Sequence, residues 1–175
     1  VMEAGQSTDC FVVRDATSAD DHPAEIIVGE GPNGANCIKV VGKTNPAEEW
    51  DTQFFIYTPD KKWEAGEKYK LSMWVKATKE IGTDSQVHST PGNYKHWAML
   101  SPNPTFTTEW KKLEWESTIP AEGGGEQQTI AFNLNKNKSS DPGTQITYYF
   151  SGIEWYYGEE KEVPKMEIVV VDYVN

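Results

Sequence analysis

Eleven short runs of strand-forming residues constrain the fold of this 175-residue chain more than any other feature. The runs are CFVVR, EIIVG, CIKVV, WDTQFFIY, YKLSMWVKA, SQVHS, YKHWAML, WKKLEWES, TIAFNLN, ITYYFSGIEWYY and MEIVVVDYV. Clusters of Gly, Pro, Asn, Asp or Ser bound them, and no segment places apolar residues at i, i+3, i+4 and i+7 over ten or more positions. This rhythm predicts an all-β fold, a β-sandwich (jelly roll) of two antiparallel sheets, without a helix of any length.

The period of two along a strand assigns side chains to faces. In YKLSMWVKA the residues expected in the core are Tyr69, Leu71, Met73, Val75 and Ala77. In TIAFNLN the residues expected to point inward are Ile130, Phe132 and Leu134. The residues left for an exposed sheet face are Thr129, Ala131, Asn133 and Asn135. Two amides on such a face suggest hydrogen bonding to a ligand.

Length and composition predict the number of domains and exclude some classes of binding partner. The chain is long enough for one core, and we expect residues 1–175 to form a single domain. The 7 Trp, 8 Tyr and 6 Phe exceed what a small core needs, so we expect some rings at the surface. The formal net charge of -11 argues against nucleic acid or an anionic membrane as partner, because phosphate binding needs clustered Lys and Arg. The apolar run IVVVDYV falls far below the roughly 20 residues that cross a bilayer, so we expect no membrane insertion.

The sequence lacks motifs of common catalytic and metal sites. The three histidines, His22, His88 and His96, have no HxxxH spacing, and no GxSxG motif occurs. Cys10 and Cys37 are too few for a disulfide scaffold, and the sequence leaves open whether they form one bridge or remain two thiols.

A glycoside hydrolase would need only two carboxylates flanking a cleft. The glutamates that could be nominated are Glu49, Glu114, Glu116 and Glu154. Nothing in their spacing selects a pair, and acidic residues are the commonest surface group of this chain. We therefore interpret them first as solvated surface charge.

A sugar-binding site needs less than a catalytic site. Axial C–H groups of sugars stack on aromatic faces, and their hydroxyls need side chains that donate and accept hydrogen bonds. The candidate ligand-binding residues are Trp50, Gln53, Tyr94, His96, Trp97, Asn133 and Asn135.

Each of these residues also has a structural interpretation. Strict alternation would bury Trp50 with Phe54, so a binding role requires Trp50 to sit at the mouth of the strand or on a bulge. Tyr94 and Trp97 have opposite parity, so a regular strand would present only one of them. Asn133 could instead satisfy a neighbouring loop.

Several of these stretches resemble carbohydrate-binding modules of families 4, 9 and 22, especially xylan-binding modules joined to xylanases. The matching stretches are GANCIKVVG, WDTQF, GEKYKLSMWVKA, FTTEWKKLEWES and TIAFNLN, which together run from Ala35 to about Asn135. The resemblance implies a β-sandwich whose concave sheet carries a binding groove. It places the groove tryptophan at Trp50, its polar partner at Gln53, the second stacking aromatic at Tyr94 and a hydrogen-bonding side chain at Asn133.

Two departures from the family pattern matter. Some relatives hold an arginine after the second aromatic, where this chain reads HWAML, so either His96 or Lys95 substitutes or the contact is absent. The closing strand carries Gly152 and Glu154 in place of the Tyr-x-Asp pattern, which argues against the structural calcium of relatives. We expect no required cofactor. The tail from Lys161 onward has no counterpart in the resemblance.

The resemblance and the residues together predict a non-catalytic module that binds a β-1,4-linked polysaccharide, most readily xylan, in a groove and targets an attached glycoside hydrolase to it. We expect a secreted or cell-surface protein and a monomeric module of a larger chain. A small jelly-roll hydrolase acting through two glutamates is the alternative. A structural spacer or adhesin domain is a third interpretation, in which the surplus rings pack against a neighbouring domain.

Overall fold

The computed structural model describes residues 5–6, 10–123, 125–157 and 168–170. Within them the chain forms fifteen strands and four single-turn 3-10 helices, which confirms the all-β prediction. The strands are β1 Gly5–Gln6, β2 Phe11–Arg14, β3 His22–Pro23, β4 Glu25–Ile27, β5 Cys37–Val41, β6 Gln53–Tyr57, β7 Lys68–Ala77, β8 Ile81–Gly82, β9 Asp84–His88, β10 Tyr94–Trp97, β11 Thr105–Phe106, β12 Lys111–Thr118, β13 Thr129–Asn133, β14 Thr147–Tyr157 and β15 Ile168–Val170. The helical turns are Pro32–Gly34, Glu49–Asp51, Ala121–Gly123 and Lys136–Lys138.

Two antiparallel sheets contain most of the strands. The seven-stranded sheet has the order β1-β4-β5-β14-β7-β12, and β15 also pairs with β14. The six-stranded sheet has the order β10-β9-β13-β6-β2-β3, and β8 pairs with β11 in a small separate ribbon. Neighbouring strands are mostly distant in sequence, so the strand order agrees with the predicted sandwich and not with a simple meander.

The core lies between the two sheets. Phe54 of β6 and Phe150 of β14 stack with ring centroids 4.2 Å apart, which joins the inner faces of the sheets. Trp63 and Trp155 stack at 4.5 Å in the same core. Burying a side chain such as Phe stabilises the fold by about 1.5–3 kcal/mol.

The face predictions are confirmed for β7 and for the inner side of β13, whereas the outer side of β13 is not exposed as predicted. All eight residues predicted to point inward are buried. Asn133 and Asn135, predicted on an exposed face, are also buried, at 0% and 1% exposure. One reason is that β13 ends at Asn133, and Asn135 begins the turn Lys136–Lys138 instead of continuing the strand.

The structure shows where the two cysteines lie and how long the helices are. Cys37 is a buried thiol in β5, and Cys10 is a half-buried thiol that packs against the core. Among the described residues, none of the helices has the length and apolar character needed to cross a membrane. The tail after Lys161 lies outside the described residues, apart from β15.

Candidate functional site

A pocket of about 320 Å³ lies on the face of the six-stranded sheet that points away from the core. We call it the sheet-face pocket. Its lining residues are Arg14, Trp50, Gln53, Gln86, His88, Gly92, Tyr94 and Trp97. They come from β2, β6, β9 and β10 and from the connections that precede β6 and β10, so the pocket exists only after the sheet has assembled.

Trp50 stands at the pocket because the chain does not form a strand there. The predicted strand WDTQFFIY begins at Gln53, and Glu49–Asp51 forms a helical turn. Asp51 Oδ2 accepts hydrogen bonds from the backbone N–H groups of Ala47 and Glu48, which closes this turn. Strict alternation is therefore the wrong rule for Trp50, whose side chain is 41% exposed.

Tyr94 and Trp97 both reach the pocket because β10 contains a bulge. Tyr94 pairs with His88 and Trp97 pairs with Gln86, so three steps along β10 correspond to two steps along β9. Because of the extra residue, Tyr94 and Trp97 point to the same face of the sheet, although an odd number of positions separates them. The prediction that only one of them would be presented is wrong, since Tyr94 is 45% exposed and Trp97 is 41% exposed.

The three exposed rings contact one another. The centroids of Trp97 and Trp50 are 6.4 Å apart with planes inclined by 66°. Those of Trp97 and Tyr94 are 5.9 Å apart, inclined by 64°. The rings therefore form a bent arc along one side of the pocket, not a flat platform.

A directed chain of hydrogen bonds lies beneath the rings. Arg14 Nη1 donates to Gln53 Oε1 at 2.7 Å, and Gln53 Nε2 donates to Asn133 Oδ1 at 2.8 Å. Because a guanidinium only donates, it fixes the orientation of the Gln53 amide, which in turn fixes that of Asn133. The buried Asn133 Nδ2 then has no acceptor in the described protein.

His88 forms the other part of the floor. The backbone N–H of Gly92 donates to His88 Nδ1 at 3.2 Å, so His88 Nε2 carries the proton and donates to Gln86 Oε1 at 2.8 Å. Burial, with a smaller effect from the charge of Arg14, lowers the pKa of His88 to about 4. The imidazole is thus neutral near pH 7, in keeping with the single proton that its neighbours require.

Three predicted residues do not line the pocket: Asn133 is wholly buried behind Gln53, and His96 and Asn135 lie elsewhere. His96 Nε2 lies 3.9 Å from Glu122 Oε2 on the exposed side of β10. The Asn135 amide accepts from Thr52 Oγ1 and donates to the Lys43 carbonyl at 3.0 Å. Asn135 therefore supports the loops around Trp50, and its hydrogen-bonding capacity is used within the protein.

Four lining residues were not among the predicted site residues: Arg14, Gln86, His88 and Gly92. A signal existed for two of them, because alternation in SQVHS places Gln86 and His88 on one face and Val87 on the other. Arg14 ends the run CFVVR, and nothing in the sequence indicates that its side chain reaches Gln53. Gly92 belongs to a turn that folds over the sheet.

The nominated glutamates lie elsewhere. Glu114, Glu116 and Glu154 line a second depression of about 450 Å³ on the outer face of the seven-stranded sheet. Glu114 pairs there with Lys112 at 3.2 Å, whereas Glu49 pairs with Lys136 at 3.2 Å beside the other sheet. Among the residues that the structure describes, no three His, Cys, Asp or Glu side chains gather in a way that could hold a metal ion.

Comparison with known proteins identifies the fold family. Three similar solved structures are the CBM22-1 xylan-binding domain of Paenibacillus barcinonensis Xyn10C (13% identity, TM-score 0.56, 88% of this chain and 89% of that chain), the N-terminal cellulose-binding domain of Cellulomonas fimi β-1,4-glucanase C (13%, 0.55, 86% and 90%), and a CBM4 module (18%, 0.54, 85% and 86%). At these identities the likeness concerns the fold alone.

The sequence itself also matches a family. No curated protein matches the chain. The sequence profile of CBM_4_9, described as "Carbohydrate binding domain", matches residues 11–142. Since this match spans well over half of the chain and the fold agrees with it, the chain belongs to the carbohydrate binding domain family CBM_4_9.

Proposed function

We propose that this chain is a non-catalytic module that binds a β-1,4-linked polysaccharide, xylan before other glycans, through the sheet-face pocket. The observation that carries the proposal is the arc of three exposed rings, Trp50, Trp97 and Tyr94, beside a floor of buried amides. In this role the module keeps an attached glycoside hydrolase near its substrate by raising the effective concentration. Such a partner implies a secreted or cell-surface protein.

The inclination of the rings favours a single chain over a crystalline surface. Rings that lie on a flat crystal face must be nearly coplanar, whereas Trp50 and Tyr94 are inclined to Trp97 by 66° and 64°. A single chain, which turns from one unit to the next, can present sugar faces to inclined rings. A sugar face that covers about 60 Å² of an aromatic ring contributes about 1.5 kcal/mol to the free energy of binding, at about 25 cal/mol per Å² of apolar surface buried.

The amide floor suits hydroxyl groups. The amides of Gln53 and Gln86 line the floor, and the hydrogen bonds from Arg14 and to Asn133 hold the Gln53 amide in one orientation. A sugar hydroxyl above this floor can accept a hydrogen bond from an amide N–H group. A hydroxyl can also donate onward, so uncharged amides suit it better than fixed charges.

The similar structures support the class of ligand. One is a xylan-binding domain and another is a cellulose-binding domain, and both names refer to β-1,4-linked chains. We infer xylan as the preferred ligand of this chain, with β-1,4-glucan as the comparison to be tested.

The test replaces Trp50 by Ala and measures binding to xylohexaose and cellohexaose by titration calorimetry. We expect roughly a tenfold weaker binding, because 1.4 kcal/mol corresponds to a factor of ten. Trp110→Ala is the matched control: this half-buried ring contacts Tyr149 on the outer face of the seven-stranded sheet, so binding should not change. Equal affinities of the Trp50 variant and the parent protein would remove Trp50 from the site.

A second measurement separates binding from hydrolysis. The protein is incubated with xylan and the solution is assayed for new reducing ends, which a binding module does not release. Release of reducing ends, and its loss on Glu114→Gln or Glu154→Gln, would favour the hydrolase alternative.

A further inference from the structure

We propose that Lys136 is a positioning residue of the sheet-face pocket, which holds Trp50 against Trp97. It does so by joining the turn Glu49–Asp51 to β9. This inference rests on the proposed function and adds to it a residue that does not line the pocket. Lys136 affects the ligand only through the indole of Trp50.

The ammonium group of Lys136 lies between two carboxylates from distant parts of the chain. Its Nζ donates to Glu49 Oε2 at 3.2 Å and to Asp84 Oδ2 at 3.0 Å. Glu49 belongs to the turn that carries Trp50, and Asp84 begins β9. Because β9 pairs with β10, which carries Trp97, one ammonium group connects the supports of both tryptophans.

The three charged side chains are partly shielded from water. Those of Lys136, Glu49 and Asp84 are between 27% and 32% exposed. Salt screens partly buried pairs less than exposed ones, and hydrogen bonds between charged groups are stronger than neutral ones. Partial burial alone would lower the pKa of Lys136, but the hydrogen bonds to Asp84 and Glu49 outweigh this effect and raise it. The ammonium group therefore stays charged and can hold both carboxylates.

Backbone hydrogen bonds hold a different side of the turn. The Asn135 N–H donates to the Glu49 carbonyl at 3.0 Å, and the Leu134 N–H donates to the Thr52 carbonyl at 2.9 Å. These bonds attach the turn to the residues that follow β13. A turn held along one side can still tilt, and the bonds of Lys136 limit its tilt relative to β9.

Removal of the ammonium group has a larger effect than the loss of two hydrogen bonds. The bonded oxygens of Glu49 and Asp84 are no more than about 6 Å apart, because both contact the same Nζ atom, at 3.2 and 3.0 Å. Without the cation these two negative charges repel each other. We expect the turn to move away from β9, so that Trp50 loses its contact with Trp97, whose ring centroid now lies 6.4 Å away.

The first test is Lys136→Met, which keeps the length of the side chain and removes its charge. We expect binding of xylohexaose, measured by calorimetry, to weaken about threefold, which is less than the roughly tenfold loss expected for Trp50→Ala. Lys112→Met is the matched control, because it removes a lysine from an ion pair with Glu114 on the other sheet and should bind like the parent protein. Equal affinities of Lys136→Met and the parent protein would overturn the inference.

A double variant separates positioning from a general loss of stability. When Trp50→Ala has removed the indole, no ring remains to be positioned, so adding Lys136→Met should not weaken binding further. A further loss of about threefold would mean that Lys136 acts on the ligand by another route, and the inference would be wrong.

A second double variant tests the repulsion between the carboxylates. Glu49→Gln removes one of the two negative charges, so Lys136→Met combined with Glu49→Gln should bind xylohexaose more tightly than Lys136→Met alone. A cavity or a loss of packing at position 136 would not be repaired in this way. If the combined variant binds no better, the two carboxylates do not control the turn, and the inference fails.

Circular dichroism reports the position of Trp50 without a ligand. Two indoles in contact couple optically, and the difference between the spectra of the parent protein and Trp50→Ala isolates this signal. The same difference should be smaller in the Lys136→Met background and unchanged in the Lys112→Met background, below the thermal unfolding midpoint of each variant. An unchanged signal for Lys136→Met would overturn the inference.

Two further outcomes are distinguishable from these. If Lys136→Met does not fold, Glu49→Gln alone breaks the same link from the other side and should weaken both the dichroism signal and the binding. Unchanged values for a folded Glu49→Gln would then overturn the inference. Absence of xylohexaose binding by the parent protein would contradict the proposed function, whereas the dichroism experiment would still test the positioning of Trp50.

Discussion

At the scale of single residues, Lys95 determines how many rings the site presents. Without the extra residue in β10, Tyr94 and Trp97 would point to opposite faces of the sheet, and one ring would leave the arc. Arg14 has a comparable influence on the floor, because its guanidinium orients Gln53 and through it Asn133. Both residues act by orienting neighbours.

His88 gives a prediction for the pH dependence of stability. Its pKa is about 4 in the folded chain and 6.5 for the free side chain, because burial disfavours the charged form. As the pH falls from about 6.5 to 4, the unfolded chain takes up this proton first, so the free energy of unfolding decreases by about 3 kcal/mol.

The His88→Asn variant keeps an acceptor for the Gly92 N–H but does not titrate. Urea unfolding of this variant at several pH values should show a smaller loss of stability between pH 6.5 and 4 than the parent protein shows. His96→Asn, at a half-exposed position of β10 outside the pocket floor, serves as the matched control. Identical slopes for the His88 variant and the parent would contradict this explanation.

At the scale of elements, β14 shows how a bulge keeps a long strand in the core. Tyr148 and Phe150 are buried at even positions, whereas Ile153 and Trp155 are buried at odd positions. The register of β14 against β7 shifts between Ser151 and Glu154, and Gly152 has a φ of +56° there. The shift returns apolar side chains to the inner face on both sides of the bulge.

This role of Gly152 predicts the effect of adding a methyl group. Gly152→Ala should lower the free energy of unfolding by roughly 1–2 kcal/mol, because a side chain is strained in the left-handed region. Gly143→Ala is the control, since Gly143 lies outside that region and has open space around it, and its stability should change little. Equal unfolding midpoints of the two variants in urea would argue against strain at the bulge.

At the scale of the whole molecule, the charge predicts how binding responds to salt. The chain carries a formal net charge of -11, yet the charged group of the pocket, Arg14, is paired with Asp21. Xylan is nearly neutral, so long-range attraction contributes little and the affinity should be almost the same at low and high ionic strength. Calorimetric titrations across a salt series test this, and a steep slope would indicate a charged glycan or a bridging cation.

Much of the fold could be predicted because alternation is a local property. The core residues of β7 and the inward set beside Phe132 follow from counting by two in the sequence. The site was predicted only in part: Trp50, Gln53, Tyr94 and Trp97 line the pocket, but His96, Asn133 and Asn135 do not. Alternation fails at the bulge in β10 and at the turn that replaces the start of β6, where the local backbone leaves the strand geometry.

The sequence by itself determined the class of the fold, the placement of apolar side chains in the core and the presence of more aromatic rings than the core needs. Only the tertiary structure decided which rings meet, because Trp50 and Trp97 come from stretches separated by forty-seven positions in the chain. It also brought Arg14 to Gln53. Side-chain periodicity is set by neighbouring residues, whereas the shape of a pocket depends on strand order, register and loop paths, which arise from contacts between distant segments.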